Sequence, residues 1–188
     1  IAAALLGKNG VAAVAGRQQA GQAAGAGPDV LRGRAQRRAN AAAALARASG
    51  LADSGTAYTA GLLAELGCFV LAALAPDKYT QVHPELGGAE RAEAEKKFFT
   101  MVYPETGATV AAHWGYPENV CTVLRYQLTP EGAGEWRDLA SIVRIAAVAA
   151  LHGSRLSTEP LADCEAAMAQ LEMDPAHVVD AVREAVEG

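Results

Sequence analysis

The sequence predicts an all-α protein, and both its composition and its residue spacing lead to that prediction. The 188-residue chain is 51% hydrophobic, yet only 5% of its residues are aromatic. Alanine has the highest helix propensity and is the commonest residue, whereas the β-branched and aromatic residues typical of strands are sparse. Apolar residues recur at helical spacing, and no segment shows strand alternation. A chain of this length can bury a core of its own.

The first two predicted helices lie on either side of a glycine-rich break. Residues 1–19 place leucine and valine on a rough helical stripe, and the sequence GQAAGAGP interrupts it. A second helix is expected to begin near Asp29 or Leu31 and to continue through alanine-rich sequence to about Ser49. Gly50 then suits the C′ position at which helices end.

The most apolar segment is expected to form a buried core helix rather than a membrane span. Ser54 is a favourable N-cap residue, and the helix that follows it is expected to continue to Leu74. Glu65 lies in the middle of this segment, and much of the remainder is alanine and glycine, which disfavours a position in lipid. Pro76 then begins a short helix over residues 77–83.

Glycine and proline residues divide the rest of the sequence into further helices. These are expected at residues 89–99, 103–114, 117–129, 135–151, 160–171 and 174–186. Glu93 and Lys97 form a favourable i,i+4 pair in the first of them, and an Asp174-Pro175 cap opens the last. The residues expected in the core are Leu62, Leu63, Leu66, Val70, Leu124, Ile142, Ile145 and Val148.

The charge distribution argues against a general nucleic-acid-binding protein. The net charge is −5, whereas such proteins carry a basic surface. Residues 1–50 are nevertheless basic, with seven lysines and arginines against Asp29 alone, and the remainder of the chain is acidic.

The cysteines indicate a reducing compartment. Cys68, Cys121 and Cys164 are odd in number, lie far apart and form no CxxC motif, so neither a disulfide framework nor a zinc knuckle is expected. We therefore expect a cytoplasmic protein with small core cysteines. The chain begins at Ile1 without a methionine or a signal peptide, and it is expected to be a fragment of a longer protein.

Five segments carry a resemblance to a known family. In chain order they are IAAALLGKNGVAAVAG, AYTAGLLAELGCFVLAAL, AAHWGYPENVCTVLR, DLASIVRIAAVAAL and LEMDPAHVVDAVREAV. Together they resemble the HDOD domain, the HD-related output domain of bacterial signalling proteins, a degenerate relative of the HD and HD-GYP phosphohydrolases. The resemblance implies one HD-domain-like helical bundle over residues 1–188. Its parts are an incomplete N-terminal helical part at 1–28, an HD-like core at 29–153 and a C-terminal helical pair at 154–188.

The resemblance also implies that a catalytic metal site has been lost. HD phosphohydrolases hold divalent metals with histidine and aspartate side chains, and the metal activates water for attack on phosphate. The central His-Asp pair corresponds to Ala64 and Glu65, and the lysine after it corresponds to Cys68. The other family positions correspond to Arg37 or Arg38, Tyr103, Tyr126, Gln127 and Ala147. Only Glu65 retains a ligand side chain, so we expect no bound metal, no cofactor and no catalytic residues.

Glu65 and an arginine group each have two interpretations. Glu65 is either a remnant of the metal site that pairs with an arginine inside the domain, or a carboxylate at the solvent-exposed rim of its helix. Arg32, Arg34, Arg37 and Arg38 form either a contact patch for phosphate or an acidic partner, or the solvated helix face that such a run usually indicates.

The remaining polar and aromatic features favour structural roles. The charged residues of the helix at 89–99 are expected to form a solvated face. The histidines, which are expected at surface positions or helix ends, are His83, His113, His152 and His177. The aromatic residues, which are expected as core or half-buried anchors with a ligand pocket as the alternative, are Tyr103, Trp114, Tyr116, Tyr126 and Trp136.

The resemblance implies a non-catalytic output module of the response-regulator type, acting in bacterial two-component signalling by binding another protein. A histidine kinase, a receiver domain or a cyclic-di-GMP enzyme would be its partner, with neither nucleic acid nor membrane bound. Arg34, Arg37 and Arg38 are the first candidates for the contact. Two other classes stay open: a metal-dependent phosphohydrolase acting on a nucleotide or cyclic dinucleotide, and a small-molecule sensor that uses the vacated metal cleft. The missing ligands weigh against the phosphohydrolase.

Overall fold

All regular secondary structure in the described part of the chain is helical. The computed structural model describes residues 28–82 and 86–186, and no strand occurs among them. The α-helices are α1 (Pro28–Ser49), α2 (Ser54–Leu63), α3 (Leu66–Leu74), α4 (Pro76–Tyr79), α5 (Gly88–Lys96), α6 (Tyr103–His113), α7 (Glu118–Tyr126), α8 (Arg137–His152), α9 (Glu165–Gln170) and α10 (Pro175–Val186). Short 3₁₀ helices occupy Pro130–Trp136, Gly153–Arg155 and Glu159–Cys164. The all-α prediction is confirmed, while the expected helix at 1–19 lies outside the described residues.

Helix α1 is the central element of the bundle, and it packs against α2, α8 and α10. Its alanines are largely buried, so neighbouring helices can approach its backbone closely. A β-carbon at Gly61 on α2 would lie 2.9 Å from the carbonyl oxygen of Arg38, which shows how tight the α1–α2 contact is. Helix α1 ends as predicted: Gly50 adopts a φ of +70°, and its N–H donates to Ala46 O at 3.0 Å.

The apolar segment expected as one helix is two helices separated by a turn. Helix α2 ends at Leu63, α3 begins at Leu66, and Ala64 and Glu65 form the turn between them. Asp53 rather than Ser54 caps α2, because its Oδ2 accepts from the N–H of Thr56 at 2.7 Å. The segment is long and apolar enough to cross a membrane by composition alone, but most of it is buried inside the domain. The prediction of a buried segment is confirmed, and the prediction of one continuous helix is wrong.

Helices α3 and α6 cross at a pair of glycines. A β-carbon at Gly67 would overlap the carbonyl group of Tyr103, and one at Gly107 would lie 3.1 Å from the backbone nitrogen of Gly67. Glycine is therefore required sterically at Gly67 for the two helices to reach their observed separation.

The core consists of a large cluster and a smaller one. The large cluster has members from α1, α2, α3, α6, α7, α8, α9 and α10, and the smaller one lies around α3, α4 and α5. Five of the eight residues expected in the core are buried: Leu66, Val70, Leu124, Ile142 and Ile145. Leu63 and Val148 are half-buried against the large cluster. Leu62 is 38% exposed, and its prediction is wrong. The neighbouring Gly61 faces α1, which turns Leu62 away from the contact, because successive helix positions differ by about 100°.

Two further expectations about helix detail need correction. Lys96 pairs with Glu93 at 2.6 Å, in place of the expected i,i+4 pair between Glu93 and Lys97. The helix expected at 160–171 is a 3₁₀ segment followed by the shorter α9. The Asp174 cap is confirmed, since its Oδ1 accepts from the N–H of His177 at 2.8 Å.

Candidate functional site

A buried carboxylate with two arginines lies where the turn between α2 and α3 enters the core. Glu65 Oε1 lies 3.3 Å from Arg38 Nη1, and Oε2 lies 3.5 Å from Arg91 Nη1. The Glu65 side chain is only 6% exposed, and the two arginines are buried still more deeply. The interpretation of Glu65 as an arginine-paired carboxylate is confirmed, and the rim interpretation is wrong.

Arg38 joins four elements through its guanidinium group. Its Nε and Nη2 donate to the carbonyl of Val143 on α8 at 3.3 and 3.2 Å, and Nη2 also donates to Gln127 Oε1 at 2.6 Å. Gln127 Nε2 in turn donates to the carbonyls of Leu124 (2.9 Å) and Ala64 (3.3 Å). Arg38 therefore links α1, the α2–α3 turn, the end of α7 and α8 in one buried network.

Arg91 extends the network toward α5. Its Nη1 donates to Cys68 Sγ at 3.2 Å, and its Nε and Nη2 donate to the carbonyl of Leu86 at 2.9 and 2.6 Å. Arg34 Nη1 donates to the same carbonyl at 3.1 Å. We call this set, namely Arg34, Arg38, Glu65, Cys68, Arg91 and Gln127, the Glu65 network. It fixes the backbone that leads into α5 against α1 and α3.

A second buried carboxylate lies on the same face of α5 as Arg91. Glu95 is fully buried, and its Oε1 accepts from the hydroxyl of Tyr79 at 3.1 Å. Its Oε2 accepts from the backbone N–H of Tyr103 at 2.7 Å. Glu95 thus fixes α4 and the first turn of α6 to α5.

Burial and charge act differently on the two carboxyl groups. Burial acts to raise the pKa of Glu65, but the three arginines of the network outweigh it, so the pKa lies below its ordinary value. Burial raises the pKa of Glu95 to about 7, because its hydrogen bonds and the charge of Arg91 offset the desolvation only in part. Burial, together with the charge of Glu65, raises the pKa of Cys68 to about 12, so this residue is a thiol and not a nucleophilic thiolate.

The structure contradicts an exposed arginine patch on α1. Arg38 is 1% exposed and Arg34 is 6% exposed, and both donate their hydrogen bonds inside the domain. Arg37 is half-buried, and its Nε donates to the carbonyl of Ala150 at 3.2 Å. Arg34 and Arg38 are therefore neither part of a solvated face nor accessible to a partner, because α1 is surrounded by other helices that these side chains reach, whereas Arg32 is exposed.

The residues that the resemblance assigns to metal-ligand positions do not fit a metal ion. Ala64 and Ala147 have no donor side chain, and both oxygens of Glu65 face guanidinium groups. Gln127 Oε1 accepts from Arg38, and the buried guanidinium groups of Arg38 and Arg91 lie against Glu65, which weighs against the alternative of a vacated cleft at this position. Within residues 28–82 and 86–186, no group of three His, Cys, Asp or Glu side chains could hold a metal.

The histidines and aromatic residues lie at positions that agree with structural roles. His113 and His177 are exposed, and His152 is the last residue of α8, whereas His83 lies outside the described residues. Tyr103 is buried in the smaller core cluster, and the other aromatic anchors are half-buried against the larger one, namely Trp114, Tyr116, Tyr126 and Trp136. For the described residues, both structural predictions are confirmed.

Sequence reasoning missed Arg91 and Glu95, because it assigned the charges of α5 to a solvated face, and it did not consider Tyr79 on α4. Arg91 and Glu95 are 2% and 0% exposed. The sequence did contain a signal that this side of the helix is buried. Arg91, Glu95 and Phe98 are spaced at i, i+4 and i+7, which places the two charged residues on the same side of the helix as an aromatic residue.

The profile of the HDOD domain family matches residues 8–130, which is more than half of the chain. The chain belongs to the HDOD family. Its helical bundle agrees with that membership. A search of curated proteins found no match.

Two solved structures share the fold of this HDOD protein. A Shewanella amazonensis SB2B protein, provisionally named a phosphohydrolase, is 19% identical with a TM-score of 0.67, and the match covers 93% of this chain and 65% of that one. The MmoQ response regulator of Methylococcus capsulatus str. Bath is 21% identical with a TM-score of 0.59, and the match covers 79% of this chain and 58% of that one. This chain therefore spans about two thirds or less of the length of either protein.

Proposed function

We propose that this HDOD domain is a non-catalytic output module of bacterial signal transduction, located in the cytoplasm, that acts by binding another protein. The observation that carries the proposal is the Arg38–Glu65–Arg91 arrangement at the family's central ligand position. A histidine kinase, a receiver domain or a cyclic-di-GMP enzyme is the class of partner that membership of the family suggests.

The electrostatics of this arrangement support loss of hydrolysis. Hydrolysis of a phosphate ester needs a metal or an equivalent cation clamp, because the uncatalysed barrier is very high. Two guanidinium groups already neutralise Glu65 from a few ångströms away. They would repel a divalent cation at this position, and the only carboxylate offered to that cation would already be paired. The arginines themselves are buried and hydrogen-bonded to backbone carbonyls, which favours a structural role over substrate binding.

The same network supports a rigid scaffold. It connects α1, α3, α5, α7 and α8 through one set of hydrogen bonds, and such a fully connected set favours one arrangement of the helices. A binding module benefits from a rigid surface, because less conformational freedom is lost when its partner binds.

An activity assay tests the catalytic half of the proposal. The purified full chain is incubated with Mn²⁺ or Mg²⁺ and a generic phosphodiester or cyclic dinucleotides, and its metal content is measured by elemental analysis. We expect no turnover and far less than one metal per chain. Metal-dependent turnover that co-elutes with the chain on gel filtration would instead establish the phosphohydrolase.

A reconstitution assay tests the binding half. Proteins captured by the chain from host lysate are purified separately and titrated against it by calorimetry. A saturable complex with one signalling protein is the expected result. If no purified candidate binds, the output-module proposal fails even where the activity assay is negative.

A further inference from the structure

An apolar groove lies in the C-terminal part of the domain, between the 3₁₀ segment Glu159–Cys164, α9 and the start of α10. Its volume is about 540 Å³. Met168 and Met173 contribute its floor and are themselves almost fully buried, whereas Ala162 and Ala169 are exposed at its sides. We call this the methionine groove. Methionine side chains are unbranched and adaptable, so such a floor can fit the side chains of an incoming helix.

The charged residues that line the groove are acidic. Glu159 and Glu165 line it directly, and both are exposed. Between Arg155 and Arg183 the chain contains six Asp and Glu residues, of which Asp180 pairs with Arg183 Nη2 at 2.8 Å. All six acidic residues are exposed, namely Glu159, Asp163, Glu165, Glu172, Asp174 and Asp180. Glu159 and Glu165 are thus the charged residues of the groove lining, and no Lys or Arg among the described residues lines it, so the groove favours a positively charged segment over an acidic one.

We propose that the methionine groove is the docking site for a basic amphipathic helix of a partner protein. The apolar face of the helix contacts Met168 and Met173, and its lysines or arginines lie against Glu159 and Glu165. The inference rests on the proposed function and specifies which surface of the module binds and what chemistry it recognises. Charge complementarity decides the occupant, because a neutral or acidic helix with the same apolar face would meet these carboxylates without compensation.

Synthetic peptides test the chemistry of the occupant. A peptide of about 18 residues, or five helical turns, carries leucines on one face and lysines on the other. One control has the same composition in a scrambled order that removes the apolar face, and another replaces lysine by glutamate. Binding to the full chain is measured by fluorescence anisotropy. We expect saturable, salt-sensitive binding of the first peptide, about tenfold weaker binding of the scrambled one and none of the acidic one. Equal binding of the scrambled peptide would overturn the proposal, since charge alone would then explain the interaction.

Matched variants test the location. Glu159→Lys combined with Glu165→Lys should weaken binding by about tenfold or more. Glu105→Lys combined with Glu118→Lys makes the same change in charge at exposed first-turn positions of α6 and α7 and should leave binding unchanged. If the two double variants behave alike, the groove is not the site.

A second pair of variants tests the groove without changing charge. Ala169→Trp fills the groove from an exposed position near the end of α9 and should abolish peptide binding. Ala112→Trp makes the same change at an exposed position near the end of α6 and should have no effect. Circular dichroism of each variant establishes that it folds.

Two outcomes separate failure of this inference from failure of the proposed function. A purified partner that still binds the Glu159→Lys, Glu165→Lys variant at full affinity overturns the groove and leaves the output module in place. Sedimentation that shows the chain dimerising, with dimerisation lost in the Ala169→Trp variant, makes a second copy the occupant and also overturns the proposal.

Discussion

Replacement of Arg38 by methionine should destabilise the domain strongly, because it breaks a buried ion pair from one side. The substitution removes the 3.3 Å pair with Glu65 and the donors to Gln127 Oε1 and the Val143 carbonyl. Removal of one partner from a buried pair costs about 3–5 kcal/mol, since the remaining charge and acceptors stay buried. For a chain of this size that corresponds to a fall of about 6–20 °C in Tm.

Urea denaturation followed by circular dichroism at the helix band measures this change in the free energy of unfolding. Arg47→Met is the matched control, because Arg47 lies on the same helix, is exposed and should contribute less than about 0.5 kcal/mol. Arg38→Lys keeps the charge but loses the planar fork that reaches three acceptors, so its stability should lie between the other two. If Arg38→Met and Arg47→Met differed by less than about 1 kcal/mol, the Glu65 network would not stabilise this fold as argued.

Three further predictions concern packing, pH and burial. Gly67→Ala should destabilise the domain by about 1–3 kcal/mol in thermal unfolding, because its β-carbon would overlap the backbone of α6. Gly33→Ala on α1 is the control: its β-carbon would lie 3.5 Å from the nearest atom, so it should stabilise the domain by about 0.5–1 kcal/mol. Equal effects of the two substitutions would contradict the tight α3–α6 crossing. Burial raises the pKa of Glu95 from 4.5 to about 7, so its favourable contribution is complete below pH 4.5 and is lost as the pH rises through 7. Stability of the native chain relative to a Glu95→Gln variant should therefore fall over that interval in urea titrations, and a flat difference would show that Glu95 does not titrate there. Ile145→Ala should lower the free energy of unfolding, measured by chemical denaturation, by about 2–5 kcal/mol, because Ile145 is fully buried. Leu62→Ala should lower it by less than about 1 kcal/mol, because Leu62 is 38% exposed. A reversed order would mean that the core faces are assigned wrongly.

The tests of the methionine groove and of the Glu65 network are independent. The groove variants change exposed residues of the C-terminal part, while Arg38 lies in the buried centre of the bundle. An arginine-to-alanine series on α1 would therefore be a poor test of partner binding. Loss of binding in such variants would follow from unfolding, because Arg34 and Arg38 both donate hydrogen bonds inside the domain.

Local sequence was sufficient to predict the start or the end of a helix where these depend on neighbouring residues. Gly50 ends α1 and Asp174 caps α10 as expected, because a positive φ and a side chain that accepts from a nearby N–H act within a few residues. The family resemblance likewise singled out Glu65 as a residue of interest. It did not decide between the paired and the exposed interpretation of that residue.

The sequence by itself determined the all-α class, the order of the helices and the absence of ligand side chains at Ala64 and Ala147, because these depend on propensity, spacing and residue identity. Only the tertiary structure decided which charges are buried. Whether Arg34 and Arg38 of α1 and Arg91 and Glu95 of α5 are buried depends on their packing partners, which lie up to 105 positions away along the chain. A charged side chain enters the core only where another element supplies its counter-charge or hydrogen bonds, and that pairing is a property of the packed helices.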